Sequence, residues 1–394
     1  MKPHGDYSFI RGVCYGWTGD QATIERDLGY AQRLQINSTR IWLRYSDYWR
    51  DPAGYIGKLR NYLRTAHSVG ISTLPILWNG NMIDTSILEE DYWRTGEAYV
   101  ADVVNALKDE EGLLMWDIMN EPSCNDYVRK ATPEEKPEHE ARIWRFVRHF
   151  CQHVKALDPQ NAITVGNTVI GDTEPTVDLV DVISFHDYQQ TRQRVESAYL
   201  LAEELSARYG KPLLNSELAC LCRANPYDLA LEICERHHVG WYLFELMVRG
   251  YWGEVHGIVY PDGTVRDPAI VAAILGFHRN RDVATRVRPN PNKEGHVYRA
   301  LNLVEEALTD GNKVFQFHEN TVFQHRKKST DDILEAAEYC ANLLEGSEMV
   351  PMIDAPTARI LAWRRQPEAE RDREAIRAFT YDLAQLLKKY SQIL

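Results

Sequence analysis

The sequence predicts an α/β fold, a (β/α)8 barrel (TIM barrel) followed by an α-helical C-terminal region. Three observations predict it: eight short apolar runs lie in the first 280 residues, helical periodicity separates most of them, and strand signals nearly vanish afterwards. Apolar strands separated by helices indicate a parallel sheet covered by helices, and eight such units close into a barrel. The alternative is a doubly wound open sheet, but no glycine-rich phosphate loop follows the first strand.

The eight predicted strands are runs of β-branched or other apolar residues, at 9–16, 38–44, 71–78, 113–119, 162–166, 180–186, 211–217 and 239–244. Helical periodicity is found between them at 21–35, 55–69, 91–107, 138–157 and 191–208. The fifth crossover, residues 167–179, is short and poorly helical, so it supports the barrel least.

The character of the chain changes near residue 281. The stretch RVRPNPNKEG, residues 286–295, is typical of a linker or turn. We therefore predict a barrel domain over residues 1–280 and a helical domain over residues 281–394.

Two amphipathic helices are predicted in the second domain. Ser329 or Thr330 can cap the first of them, and Gly346 suits its carboxyl end. Its apolar positions are Ile333, Leu334, Ala337 and Leu344, and those of the last helix are Ile376, Phe379, Leu383, Leu386 and Tyr390. These faces are expected to pack on each other, on the barrel or on another subunit, so a homo-oligomer is one possibility.

Composition and charge exclude several classes of partner. The 394 residues are 44% hydrophobic and 26% charged, as in ordinary globular proteins, and the formal net charge is -12. Such a charge repels phosphate backbones and anionic lipids, and no basic run is interleaved with aromatic residues. We predict a neutral or cationic ligand, with no nucleic-acid or membrane partner.

The amino end and the cysteines predict a cytoplasmic protein. The segment MKPHGDYSFI has no apolar stretch of the kind found in secretory signals. Seven scattered cysteines fit a reducing compartment better than a disulfide framework. Cys220 and Cys222 are the closest pair, but no second Cys/His pair stands at metal spacing, so we predict buried thiols and no zinc site.

Two of the predicted strands end in a glutamate. The run GLLMWDIMNEPSC, residues 112–124, places Asn120, Glu121 and Pro122 after an apolar strand, and KPLLNSELAC places Glu217 similarly. A buried charge is costly unless it is paired or used, and barrel active sites lie at the carboxyl ends of the strands. We expect the two carboxylates to face each other across the barrel mouth, although either alone could be a structural capping or ion-paired residue.

Three further polar residues fall on these strands. Arg40 stands in the apolar second strand, where a cation needs an anionic partner, and His186 and Tyr188 leave the sixth strand in SFHDYQ. Arg40 and Tyr188 beside Glu217 would favour its ionised form, whereas apolar or acidic surroundings would keep Glu121 protonated. For His186, a buried structural role is as plausible as a substrate contact.

The motifs MWDIMNEP, TRIWL, SFHDY and LLNSEL, on the fourth, second, sixth and seventh strands, resemble those of glycoside hydrolase family 5 and its clan A relatives, the retaining (β/α)8 glycosidases. The resemblance covers about residues 9–270. It implies an acid/base role for Glu121, a nucleophile role for Glu217, 2-hydroxyl binding by Asn120, support of Glu217 by Arg40 and Tyr188, and a pocket-lining role for His186.

The sequence departs from this family at two strands. The third ends in PILWNG without the histidine commonly found there, and the eighth has Phe244 where the family often has a tryptophan platform for the sugar. Replacement platforms are sought among Trp17, Trp78, Trp241 and Trp252, although most tryptophans are expected in the core. Glu245 and Glu254 in the loop 245–267 could bind substrate hydroxyls, with a solvated loop charge as the default interpretation.

The resemblance implies a retaining β-glycoside hydrolase that needs neither metal nor organic cofactor. The carboxyl carbons of Glu121 and Glu217 are expected to lie about 5–5.5 Å apart. A cytoplasmic location favours short imported oligosaccharides, hence an exo-acting β-mannosidase or β-glucosidase; an endo-glucanase or mannanase and a carbohydrate-binding pseudo-enzyme are the alternatives. An aldolase or isomerase barrel is disfavoured because Lys211 begins a strand, whereas a Schiff-base lysine would end one.

Overall fold

The computed structural model describes residues 5–81, 83–220, 225–278, 293–308, 328–345, 347 and 352–391. The chain divides into two units, Met1–Arg281 and Asp282–Leu394. Within the described residues, no helix has both the length and the apolar character needed to cross a bilayer.

Eight parallel strands close into a barrel in the first unit. They are β1 Arg11–Cys14, β2 Ser38–Trp42, β3 Ser72–Asn79, β4 Trp116–Asn120, β5 Ile163–Asn167, β6 Ile183–Asp187, β7 Leu213–Leu218 and β8 Gly240–Leu243. Each strand pairs with the next along the chain, and β8 pairs with β1. The predicted barrel is confirmed, and every predicted strand overlaps an observed one.

Ten helices of the first unit are described. They are α1 Gln21–Arg33, α2 Tyr45–Arg50, α3 Pro52–Ser68, α4 Glu90–Leu107, α5 Asp126–Arg129, α6 Lys136–Leu157, α7 Arg192–Tyr209, α8 Tyr227–Arg236, α9 Gly250–His256 and α10 Pro268–Ile274. The fifth crossover contains a 3-10 turn, Ile170–Asp172, in place of an α-helix. The barrel closes there nevertheless, because Gly166 and Asn167 of β5 pair directly with β6.

Two apolar layers support the barrel mouth. The larger fills the space between strands and helices. The smaller includes Cys14, Leu74, Leu214 and Tyr242, contributed by four different strands. The Tyr242 ring occupies the space that a Cβ at Gly12 would need. The polar groups at the strand ends therefore stand above an apolar layer of the barrel interior.

The second unit is helical and has its own core. Its described α-helices are α11 Lys293–Leu308, α12 Thr330–Leu344, α13 Pro356–Arg364 and α14 Arg373–Ser391. Ser329 caps α12 and Asp332 completes a capping box, while Gly346 lies outside the described residues. The apolar positions predicted for α12 and α14 are buried together in one cluster, with Tyr390 packed against it. These faces therefore pack on each other.

Candidate active site

The structure brings the two predicted carboxylates together at the carboxyl ends of β4 and β7. His186 Nδ1 lies 3.0 Å from Glu121 Oε1 and 3.4 Å from Glu217 Oε2. One oxygen of each carboxyl group and one nitrogen of His186 all lie within 4.8 Å of one another. His186 is 2% exposed and therefore forms the floor between the two acids.

Local backbone geometry sets the direction of Glu121. Its φ is 46°, in the left-handed region that a residue with a side chain rarely adopts. The Glu121 amide donates to the Gly166 carbonyl at 2.8 Å, and the Gly80 amide donates to the Asn120 carbonyl at 2.7 Å. A Cβ at Gly80 would overlap the carbonyl of Glu121. This strained turn at the strand end aims the carboxyl group into the mouth.

Glu217 is held by donors on both of its oxygens. Arg40 Nη1 donates to Oε1 at 2.7 Å, and the Tyr188 hydroxyl donates to Oε2 at 3.0 Å. Glu217 itself is 5% exposed. Two fixed donors leave the carboxylate little freedom to rotate, so its orientation is set before any ligand arrives.

Arg40 joins Glu217 to two further acceptors in the barrel interior, Asp117 and Asn120. It donates to Asp117 Oδ2 from Nε at 3.0 Å and from Nη2 at 2.7 Å, and Nη2 also donates to Asn120 Oδ1 at 2.9 Å. Burial alone would lower the pKa of Arg40, but the charges of Asp117 and Glu217 outweigh burial and raise it. A Cβ at Gly166 would overlap the guanidinium, so this position needs glycine.

Asp117 was not predicted as a residue of the site. A carboxylate inside the apolar run LLMWDIM was the available signal, because the argument that demands a partner for Arg40 applies equally to Asp117. The buried salt bridge between them fixes the guanidinium that orients Glu217.

The prediction that apolar or acidic surroundings would keep Glu121 protonated was wrong. Burial would raise the pKa of Glu121, as expected, but the hydrogen bond from His186 and the charges of His186 and Arg40 outweigh it and lower the pKa. Nothing in the sequence indicated that His186 would lie against Glu121 rather than elsewhere in the mouth. In the free site, Glu121 is therefore biased toward its ionised form.

Two asparagines from the end of β3 also enter the site. Asn120 Nδ2 donates to Asn79 Oδ1 at 3.0 Å, and Asn81 Nδ2 donates to Glu121 Oε2 at 3.4 Å. The motif WNGN after the third strand was the signal that could have identified them. A cavity of about 580 Å³ begins at Asn81, lined also by Ile83, Thr85, Asp126, Tyr127 and Arg129. Asn81 therefore connects Glu121 Oε2 to the edge of this cavity.

Three of the four tryptophans proposed as platforms lie in the core, which corrects those predictions. Trp78 is 2% exposed and contacts Tyr99, Phe146 and Phe150 of the helix layer. Trp241 points into the same apolar layer, on the opposite face of β8 from Tyr242.

Trp17 is the third. It is 4% exposed, packs on Tyr55 and Tyr62 and donates its indole N–H to the Trp42 carbonyl at 2.9 Å. None of these three rings can present a face to a bound sugar.

Trp252 on α9 stays available as a platform. It is 45% exposed, and its ring lies 6.4 Å from Phe244 and 5.9 Å from His256. Phe244 also contacts Trp42, whose ring receives the Arg40 guanidinium at 5.2 Å. Trp42 was not predicted; it ends β2 two residues after Arg40, on the same face of the strand. An aromatic wall therefore runs from Arg40 to α9.

The two loop glutamates differ. Glu254 is exposed, as the default interpretation predicted, but Glu245 is half-buried, so for Glu245 the solvated-charge interpretation was wrong. Burial and, to a smaller extent, the charge of Glu217 raise the pKa of Glu245 to about 7. The mouth therefore contains a third carboxyl group, two residues beyond the end of β8.

This raised pKa predicts a pH-dependent stability change on replacing Glu245 with glutamine. Between its ordinary pKa of 4.5 and about 7, the folded protein keeps a proton that the unfolded chain releases, so the contribution of Glu245 to stability falls as pH rises through this window. Glu245→Gln removes that loss. Its melting temperature relative to the parent should therefore rise from pH 4.5 to pH 7 and level off above, as measured by calorimetry. The variant Glu254→Gln, at an exposed glutamate of the same loop, controls for the change of side chain, and a difference for Glu245→Gln that does not exceed that of the control across this window would contradict the prediction.

The same mouth contains the one group of side chains, among the described residues, whose geometry could hold a metal ion: Glu121, His186 and Glu217. Arg40 already pairs with Glu217, and its positive charge opposes a second cation at that oxygen. Cys220 Sγ lies 3.7 Å from His256 Nε2 in the core, and Cys222 lies outside the described residues. The arrangement suits proton transfer and nucleophilic attack better than metal binding.

Comparison with known proteins agrees with this geometry. A family model described as cellulase (glycosyl hydrolase family 5) matches residues 6–222. A mannan endo-1,4-beta-mannosidase from Mytilus edulis is 26% identical in an alignment of 220 residues, and the match covers 42% of this chain and 58% of that protein. The chain thus spans less than two thirds of the length of this curated relative.

Solved structures share the barrel fold. An exo-beta-1,4-mannosidase from Opitutaceae bacterium strain TAV5 superposes with a TM-score of 0.54 at 19% identity, covering 76% of this chain and 67% of that chain. An endo-1,4-beta-mannanase from Rhizomucor miehei superposes with a TM-score of 0.52 at 15% identity, covering 67% of this chain and 92% of that chain. Similarity at these identities is evidence for the fold.

Proposed function

The chain belongs to glycosyl hydrolase family 5, and from this premise we propose that it is a glycoside hydrolase, specifically a retaining, exo-acting β-glycosidase of short oligosaccharides. One observation carries the proposal. Glu121 and Glu217 have carboxyl oxygens within 4.8 Å of each other across His186. Carboxyl oxygens this close fit the short separation of about 5–5.5 Å between the carboxyl groups of double displacement better than the roughly 6.5–9.5 Å of inverting enzymes.

In the first step, Glu217 attacks the anomeric carbon. A covalent bond forms between its oxygen and that carbon, the glycosidic bond breaks, and Glu121 gives its proton to the leaving oxygen. Arg40 and Tyr188 support this role of Glu217, because they hold both carboxylate oxygens in place. The cavity beginning at Asn81 lies on the Glu121 side and has room for the leaving sugar.

In the second step, Glu121 acts as a base. It takes a proton from a water molecule whose oxygen bonds to the anomeric carbon, and the ester bond to Glu217 breaks. The Glu217 carboxylate is regenerated, and the product keeps the anomeric configuration of the substrate. The favoured ionised form of Glu121 suits this step.

Glu121 must be protonated for the first step. In the free site, His186 and Arg40 lower its pKa. A sugar in the mouth excludes water from around the carboxyl group, which disfavours the ionised form. Substrate binding therefore supplies the upward pKa shift that the free site lacks.

The sugar proposed is a β-mannoside, with a β-glucoside as the second choice. The mannose assignment is supported by the Mytilus edulis relative. Exo action is supported by the aromatic wall and by the third carboxyl group, which both stand on the β8 side of the mouth. We also propose a cytoplasmic location, supported by the scattered cysteines, five of which are buried in the described part of the chain.

Hydrolysis assays test this proposal. Aryl β-mannosides and β-glucosides are assayed first, with the configuration of the first product followed by NMR, and manno-oligosaccharides of increasing length follow. We expect a retained product, release of single terminal sugars, and a rate that does not increase with chain length. Mostly internal cleavage would identify an endo-mannanase or endo-glucanase, and binding without turnover would identify a carbohydrate-binding barrel.

A further inference from the structure

We propose that Glu245 is a specificity-determining residue, which binds hydroxyl groups at the non-reducing end of the sugar that Glu217 attacks. This inference rests on the proposed function and adds the contact that selects a terminal, unsubstituted sugar. The ligand class is a β-hexopyranoside with free hydroxyls on the ring carbons remote from the scissile bond.

The topology places Glu245 on the correct side of the mouth. It follows β8, which pairs with β7 on one side and β1 on the other. In a ring of eight strands, β4 lies opposite β8, so Glu121 and Glu245 stand on opposite sides of the mouth. Because Glu121 must face the leaving group, Glu245 must face the other end of the sugar.

The chemical environment of Glu245 fits a ligand contact. Its carboxyl group is half-buried, and within the described residues its side chain makes no hydrogen bond or ion pair. The charge of Glu217 reaches it, and both acids act on the thiol of Cys14 at the end of β1. A polar group removed from water needs a partner, and sugar hydroxyls are suitable donors and acceptors.

The adjacent helix limits where this carboxyl group can go. A Cβ at Gly253 of α9 would lie 3.3 Å from Glu245 Oε1, an approach that a larger residue there would crowd. Phe244, the preceding residue, is fixed by ring contacts with Trp42 at 5.6 Å and His256 at 4.9 Å. The carboxyl group is therefore confined between α9 and the aromatic wall.

The geometry of a pyranose identifies the hydroxyls. With C1 at Glu217 and the leaving oxygen toward Glu121, C4 is the ring carbon farthest from the leaving group. Its hydroxyl, with the neighbouring one on C6, therefore points toward the β8 side. A sugar attached at O4 would need the space of the carboxyl group, so this contact also favours terminal sugars.

The test compares one aryl β-glycoside, the one that the enzyme cleaves fastest, with its 4-deoxy and 6-deoxy analogues. Replacing Glu245 with alanine should lower kcat/KM for the parent glycoside about 10- to 100-fold, as for other hydrogen bonds to charged groups. For the analogue that lacks the bound hydroxyl, the same variant should lose less than about threefold, since the interaction is already absent. Glu254→Ala, on the exposed face of α9, should change neither rate.

Two results would overturn the proposal: an equal loss with the parent and both analogues, which indicates a structural role, or no loss with the parent. If Glu245→Ala does not fold, the variant Glu245→Gln replaces it, and the rates of the unsubstituted enzyme on the glycoside and on its two deoxy analogues are compared as well. Equal rates of the unsubstituted enzyme on all three substrates would then contradict the proposal. The chain-length assay decides exo action separately. Release of single sugars with equal rates on the three glycosides would contradict this contact and keep the proposed function, whereas mostly internal cleavage would contradict exo action and with it the selection of a terminal sugar.

Discussion

Replacing Glu217 with alanine is expected to lower kcat for an aryl β-glycoside by about 10⁴-fold or more, as for other nucleophiles that form the covalent bond. Arg40 and Tyr188 hold this carboxylate at 2.7 and 3.0 Å, and among the described residues no other carboxylate is held by both. The measurement is the steady-state release of the aryl group by the purified variant.

Azide makes this prediction specific. The alanine variant leaves a space beside the anomeric carbon, and a small anion can attack from there, so azide should restore part of the rate and give a product of inverted configuration. Glu254→Ala serves as the control and should keep the parent rate without azide. If Glu217→Ala retained activity without azide, another residue would be the nucleophile.

Replacing Glu121 with alanine is expected to lower the rate in proportion to how much the leaving group needs a proton. General acid catalysis raises the reaction rate about 10²- to 10⁴-fold, so the rate for a substrate with a sugar leaving group should fall by a factor in this range. A dinitrophenyl leaving group departs without protonation, so the rate of bond cleavage for such a substrate should fall far less. The measurement is single-turnover kinetics for a series of leaving groups of different pKa.

Asn81→Ala is the matched control for this series. It removes the donor at 3.4 Å from Glu121 Oε2 but leaves the acid in place, so its rate should depend on the leaving group as the parent rate does. A loss in Glu121→Ala that is equal for all leaving groups would assign Glu121 a positioning role instead.

The barrel could be predicted from the sequence because its signals are local. Each strand is an apolar run, each helix has its own period, and eight units permit few other arrangements. The fifth crossover had no such signal, and β5 and β6 nevertheless pair because adjacent strands need a connection but not necessarily an α-helix. Ser329 as the cap of α12 followed from its position before an amphipathic run.

The site could be predicted only as far as strand ends define it. Glu121, Glu217, Arg40 and Tyr188 come together because the barrel closes, and their motifs could be read along the chain. Which face of a strand end enters the mouth depends on register shifts, such as the one between Asp117 and Asn120. A tryptophan in an apolar strand gives no such information, so Trp78 was indistinguishable from a platform.

The electrostatics of the site could not be predicted either. The pKa of Glu121 depends on His186, which is 65 residues away along the chain and 3.0 Å away in the structure. The pKa of Glu245 depends on burial by α9 and on its distance from Glu217, and a loop glutamate shows neither in its sequence. Interactions between distant segments decide these values.

The central claim is that Glu217 forms a covalent bond to the sugar. An aryl 2-deoxy-2-fluoro-β-glycoside tests it most directly, because the fluorine slows breakdown of the intermediate while the activated leaving group allows it to form. Mass spectrometry of the digested enzyme should find one fluorosugar, attached to Glu217 in the peptide segment LLNSEL. A label on another residue, or full inactivity of the reagent while the substrate is hydrolysed with inverted configuration, would contradict the assignment.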